Sequence, residues 1–368
     1  MAPAAAEKQR QKAPTPKSRR ARALLVCGGL AAAMLATAVL ACAVGSFPAT
    51  PTEALGALAA AAGIPFGPPV DERLALVVVD IRLARVVLAG LTGAALGLAG
   101  AAFQGVLRNP LADAFTLGVS GGAAFGASLA IVSGLAGAAA LTGDAAALPA
   151  CALLGALGAL GLVLLLARAG GGGLGRETLV LAGIVASTFL SALISLLKSL
   201  DEESVSSIVF WIMGSFQGRG FEHVRLALPY ALVGAGLVLW RARELDLLAL
   251  GETQARLLGL DAARSRLWLL LGASLLSGAA VAVAGVIGFV GLVVPHLARL
   301  LTGAGHRAML PVSAGLGALL LVWSDVLART ALPGGAELPV GVVTALIGGP
   351  FFCLLLARGR GSGRGGRA

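Results

Sequence analysis

Residues 267–294 read LWLLLGASLLSGAAVAVAGVIGFVGLVV, an unbroken run without a charged side chain. A helix needs about 20 apolar residues to cross a hydrocarbon core about 30 Å thick. This run is therefore too long for one simple span, and Gly285, Gly288 and Gly291 interrupt its second half. The expected arrangement is two short or kinked helices meeting around Gly285 to Gly291.

Working outward in both directions, the same kind of run recurs. Upstream lie spans near 23–44, 86–103, 115–135, 148–167, 179–197 and 226–240, and downstream lie 310–323 and 340–356. With the interrupted run counted as two, the chain reads as an all-α polytopic membrane protein of about ten transmembrane helices. Composition agrees: 58% of 368 residues are hydrophobic and only 12% charged, with a mean hydropathy of +0.92, outside the range of ordinary soluble domains. The 53 glycines suit helices whose backbones approach closely in lipid.

Lys and Arg set the orientation, because positively charged loops stay in the cytoplasm. With the N-terminus inside, 21 of the 28 fall on the cytoplasmic side, and both termini are cytoplasmic. The net charge of +10 is then mostly an orientation signal, and nucleic-acid binding is not expected. Residues 1–22 read as a disordered basic leader, 23–357 as the membrane domain and 358–368 as a basic tail, the two ends being suited to touch anionic lipid. The apolar run after the leader is longer than the core of a signal peptide, so it reads as a retained first helix. Cys27, Cys42, Cys151 and Cys353 all fall in apolar runs without CxxC spacing and read as bystanders.

Chemistry-bearing residues are few. Beyond residue 17 the only lysine is Lys198, predicted outside, so the chain has no GxxxxGK[ST] phosphate loop. ATP hydrolysis, with its Mg, would have to sit on a separate subunit. Ionisable groups deep in the spans, which ion-coupled transport would require, are nearly absent. His296 follows Pro295 and reads as a structural histidine, while His223 and His306 are loop residues without partners in sequence. The chain is expected to bind no metal or cofactor and to perform no covalent chemistry.

Three regions remain as site candidates. The inside turn Arg108-Asn109-Pro110-Leu111-Ala112-Asp113 joins two spans. The inside loop 244–260 holds two amphipathic stretches broken at Gly251, whose apolar face asks for a protein partner or a lipid surface. Arg82, Arg85 and Arg329 are predicted at the outer surface, either as snorkelling interfacial residues or as bidentate partners for external carboxylates.

From Asp80 to Arg358 the sequence resembles the FecCD-type permeases of type II ABC importers for iron-siderophore complexes, heme and vitamin B12. The resemblance rests on ordered motifs: Asp80-Ile81-Arg82-Leu83-Ala84-Arg85; Gln104-Gly105 with Arg108-Asn109-Pro110-Leu111-Ala112; Leu181-Ala182-Gly183; Trp211-Ile212-Met213-Gly214-Ser215; Gly288 through Arg299; and Glu337-Leu338-Pro339-Val340-Gly341 with Gly349-Pro350-Phe351-Phe352. It implies a permease in the inner membrane that pairs with a second copy around a central pathway. Two cytoplasmic ATPase subunits would dock on the coupling residues Leu248, Gly251, Glu252, Ala255, Leu258 and Gly259. A periplasmic or lipid-anchored binding protein would dock at Arg82, Arg85 and Arg329, and Asn109 and Leu111 would form the cytoplasmic gate. Ala84 stands where the family usually has proline, which is expected to loosen the start of the second span. The second gate segment falls near Arg176-Glu177-Thr178, which departs from the run of small hydroxyl residues expected there, and is not counted in the gate. The implied function is ATP-driven import of an iron-siderophore or similar metal chelate by alternating access, with heme or cobalamin as alternative cargoes and ion-coupled secondary transport as a rival.

Overall fold

The structure, a computed structural model, describes residues 16–361 apart from 46, 65, 67–70 and 171–172; the rest of the leader and tail lies outside the described residues. Among the described residues every regular element is helical. The helices are α1 (Pro16–Ala43), α2 (Pro51–Ala61), α3 (Glu72–Leu76), α4 (Ala84–Leu107), α5 (Val119–Val132), α6 (Leu135–Thr142), α7 (Ala147–Ala169) and α8 (Arg176–Leu200). They continue as α9 (Val205–Met213), α10 (Phe221–Trp240), α11 (Ala242–Ala249), α12 (Glu252–Leu257), α13 (Ala262–Ala284), α14 (Val290–Thr302), α15 (His306–Thr330) and α16 (Val340–Gly361).

Six of these, α1, α7, α8, α10, α13 and α15, are each long and apolar enough to cross a membrane. Helices α5 and α6, bent by 73° at a short break, make a seventh span if taken together, and α14 and α16 contribute shorter apolar stretches. The first helix already begins at Pro16, so residues 16–22, expected to belong to a disordered leader, are helical instead. At the other end helix continues to Gly361, past the expected start of the tail. Once a helix is nucleated, each further residue gains one hydrogen bond, which carries both ends beyond their apolar cores.

Small residues decide which spans meet. Gly93 on α4 and Gly317 on α15 face one another so closely that a Cβ on either would run into the other's carbonyl oxygen. Gly122 on α5 and Gly155 on α7 do the same for the second helix pair. In lipid no solvent-driven force favours association, so close backbone contact of this kind supplies much of the attraction. Position follows from the contacts: 78% of the apolar window of α13 is buried inside the bundle, against 6% for α1, so α13 is central and α1 peripheral.

The interrupted run resolves as expected. Helix α13 stops at Ala284, Gly285 turns at φ 72°, and α14 starts after Phe289 at φ 67°. A phenylalanine in the left-handed region is strained. Its side chain packs against α16 at Gly348, where a Cβ would overlap the ring. Irregular backbone at membrane depth must find partners in protein. Ser215 N–H donates to the Ala284 carbonyl at 2.8 Å, and the buried Gln104 amide of α4 donates to the carbonyls of Gly291 and Leu292 at 3.1 and 3.3 Å. Ser215 follows α9, a short helix that has no counterpart among the predicted spans.

Candidate functional site

At the outer end, α4 is preceded by a π-helical stretch, Val77–Leu83, that carries Arg82. Helix continues through Ala84, which is fully buried at φ −56°, so the replacement of proline does not loosen this span. Alanine keeps the N–H and the helical dihedrals that continuation needs.

The three arginines do not stand free at the outer surface. Arg82 is 4% exposed and donates to the carbonyls of Cys42 (2.8 Å), Ala43 (3.1 Å) and Phe47. Arg329 donates to the Ala41 carbonyl. Two guanidiniums thus satisfy the last carbonyls of α1, which have no helical partner and sit at the negative end of its dipole. Arg85 is held by Asp325 of α15 through hydrogen bonds of 2.8–2.9 Å, and by Glu337 at 2.8 Å. Asp325 also lies 3.9 Å from the Arg329 Nε. Sequence alone places Asp325 near the outer end of a span and Glu337 in a motif. It does not reveal that they are the counter-ions of Arg85, because Asp325 lies 240 residues away from it along the chain.

At the inner end of α4, Arg108 ends the helix in the left-handed region at φ 48°. Asn109 accepts the Leu111 N–H on its Oδ1 at 3.0 Å, folding the Asn-Pro-Leu turn as Asn commonly does. Leu111 is 44% exposed. Asp113 closes the next turn by accepting from Phe115 and Thr116 N–H groups, while burial pushes its carboxyl up to about 6. A cavity of about 440 Å³ opens here, lined by Leu107, Arg108 and Asn109 on one side and by Arg176, Glu177, Val180, Leu181 and Ile184 of α8 on the other. The cavity therefore joins Asn109 to Arg176 and Glu177, whose chemistry departs from the expected small hydroxyls, while Leu111 is not among the residues lining it. Adjacent to it, a cavity of about 320 Å³ adds Thr178, Glu252 and Arg266, which brings this opening to the coupling loop.

The coupling loop is two short helices, α11 and α12, with Gly251 between them at φ 113°, a conformation closed to most L-residues. Of the six residues expected at the ATPase contact, Leu248, Gly251 and Ala255 are buried against this chain and do not face outward. Amphipathic helices lay their apolar face on the nearest apolar surface, here the bundle itself. Glu252 is pinned between Arg256 (i, i+4) and Arg266 at 2.8 Å, and the Arg266 bond holds its carboxyl below the usual range. Leu258 and Gly259 are exposed, joined by Leu250 and Leu257, which sequence reading did not single out; Leu257 is 83% exposed. An amphipathic period does not show which leucines the chain itself covers.

Asp246 of α11 receives two hydrogen bonds from His306, one from its backbone N–H and one from Nδ1, both 2.8 Å. Burial pushes the Asp246 carboxyl up, and the His306 bonds outweigh it and bring it below the usual range. His306, read from sequence as a loop residue without a partner, is instead a buried residue at the start of α15.

Comparison with known proteins agrees with this architecture. The profile of the FecCD transport family matches residues 33–358. The chain is 46% identical to the uncharacterized ABC transporter permease protein YvrB of Bacillus subtilis (strain 168), over 80% of this chain and 82% of that protein. It is 40% identical to the cobalamin import system permease protein BtuC of Halobacterium salinarum, over 81% of this chain and 78% of that one. Among solved structures, a metal-chelate type ABC transporter in an inward-facing conformation superposes with a TM-score of 0.76 at 34% identity, covering 90% of this chain and 99% of that one. This multi-pass helical bundle, matched over nearly its whole described length, belongs to the FecCD transport family of inner-membrane ABC permeases.

Proposed function

We propose that this chain is the permease subunit of an ATP-driven importer for a bulky metal chelate, with an iron-siderophore complex as cargo. The observation that carries the reading is the coupling loop. Leu250, Leu257 and Leu258 point away from the bundle on a loop held to it by the Glu252–Arg266 ion pair. An apolar patch on a fastened cytoplasmic loop suits a protein partner. The sequence has no phosphate loop, so the energy source is a separate ATPase subunit, two of them docking on two permease copies, with ATP and Mg bound there. The second copy is this same chain, pairing through exposed apolar faces such as that of α8, where Leu181, Ile184 and Phe189 are unpartnered.

ATP binding and hydrolysis then shift the bundle between inward- and outward-open states through the loop, and only a difference in affinity for the two states can do so. At the inner face, Asn109 and Leu111 form the gate with the Arg176–Glu177 segment across the cavity. A binding protein delivers the chelate to the outer face. There its acidic groups reach Arg85 by displacing Glu337, the more exposed of the two carboxylates holding that arginine. The few fixed charges along the spans suit a cargo that must not stick. Cobalamin is the second reading, favoured by the halobacterial relative that imports it.

The test is ATPase activity of the complex reconstituted with its ATPase and binding protein against a panel of ferric siderophores, heme and cobalamin. Stimulation by one ferric siderophore is expected. Stimulation by cobalamin alone would replace the cargo, and an ion-gradient-driven flux without the ATPase would replace the function.

A further inference from the structure

The coupling loop touches the bundle at a place the reading above does not use. His306 opens α15, and its imidazole lies between Asp246 of the coupling loop and Gly105 of α4. Asp246 Oδ1 accepts both His306 donors, so the carboxylate also closes the first turn of α15. With Nδ1 spent on Asp246, Nε2 is the ring nitrogen left over. It is buried and has no hydrogen-bond partner among the described residues. A Cβ on Gly105 would lie 2.9 Å from that nitrogen and 2.9 Å from Leu245, so loop, ring and α4 are in contact at one point.

The first turn of α15 needs such fastening. Pro311 lacks an N–H, which removes one helical bond just beyond that turn. Past Pro311, α15 packs backbone to backbone on α4 through Gly317 and Gly93, and Ser313 lies against Gly97. At their far ends, about 30 Å away by helix rise, the same two helices are joined again by Arg85 and Asp325. One helix pair thus runs from the coupling loop to the outer arginine cluster.

We propose that Asp246 and His306 are a positioning pair: they fasten the coupling loop to the α4–α15 helix pair, so that movement of the loop is passed to the outer arginine cluster. The inference rests on the coupling loop being the ATPase dock. It assigns the two residues a role in transmission, with no contact to cargo or nucleotide. Asparagine at 306 keeps an amide donor near the position of Nδ1, whereas alanine removes it.

The experiment uses the full complex with its ATPase and binding protein, comparing wild type with His306→Ala, Asp246→Ala and His306→Asn. Three quantities are read: assembly with the ATPase, basal hydrolysis, and stimulation of hydrolysis by the loaded binding protein. The two alanine variants are expected to assemble and hydrolyse at the basal rate while stimulation falls about tenfold, a typical coupling energy between sites. His306→Asn is expected to keep stimulation. Equal stimulation in wild type and His306→Ala overturns the latch and leaves the permease reading intact. So does a His306→Asn variant as uncoupled as His306→Ala, since that would trace the effect to ring packing. A wild-type complex whose hydrolysis ignores the binding protein overturns the permease reading itself. Should the alanine variants fail to assemble, hydrogen exchange on the wild-type complex decides. Nucleotide is expected to change protection at 242–249 and 306–309 together, and a change confined to 242–249 contradicts the latch.

Discussion

The two ends of this bundle treat their candidate contact residues in opposite ways. At the outer end, Arg82, Arg85 and Arg329 turn inward, onto the last carbonyls of α1 and onto Asp325 and Glu337. At the inner end, Leu250, Leu257 and Leu258 turn outward from a loop whose Leu245, Leu248 and Ala255 are covered. Charged groups in a membrane protein are costly unless paired, so the chain satisfies them itself. Apolar groups facing the cytoplasm can be left for a partner. The outer cluster therefore holds the fold, while the inner loop leaves an apolar surface exposed.

The largest effect that could break this contrast is at Asp325. Asp325→Ala leaves Arg85 with Glu337 alone and removes the nearby carboxylate of Arg329, and should cost about 3–5 kcal/mol, read as a fall in the melting temperature of the detergent-solubilised protein. Unchanged melting would mean that the arginines are not held from within. Next comes the seam that ties both ends together. Gly93→Leu must push α4 from α15 and should cost about 1–3 kcal/mol, as overpacking does, again measured by melting, whereas the same change at Gly158, which has open space around it, should not.

A smaller effect separates surface from scaffold at the inner end. Leu257→Asp with Leu258→Asp should leave stability within about 0.5 kcal/mol. The same pair should weaken association with the ATPase by about tenfold or more in a binding titration. Loss of folding instead would place these leucines in the bundle. The smallest effect is at the Asn-Pro-Leu turn: Asn109→Ala removes one hydrogen bond, worth about 1 kcal/mol, and should speed hydrogen exchange over 108–113. Asn109→Asp, which keeps the acceptor oxygen, should not.

The bundle was legible because its signal is one-dimensional. Apolar runs, the glycines at 285–291 and the side preference of arginine are each read along the chain, and the break between α13 and α14 falls where they put it. The short outer helix α9 was not legible, because nine residues make no span and its role is to meet Gly285 and Gly341 from elsewhere. The site was legible only as residue types. That Arg82 reaches the end of α1, that Arg85 meets Asp325, and that Asp246 meets His306 are facts of tertiary contact. Nothing in the local sequence at position 306 distinguishes a loop histidine from a buried one. Likewise the period of 244–260 marks an amphipathic loop, but only packing shows that Leu248 and Ala255 serve the bundle while Leu257 and Leu258 stay exposed.

The most direct test of the account is uptake by proteoliposomes containing this chain with its ATPase and binding protein. Accumulation of a ferric siderophore is expected to require ATP and to be lost with Leu257→Asp and Leu258→Asp although the permease remains folded. Accumulation that persists without the ATPase, driven by an ion gradient, would contradict it.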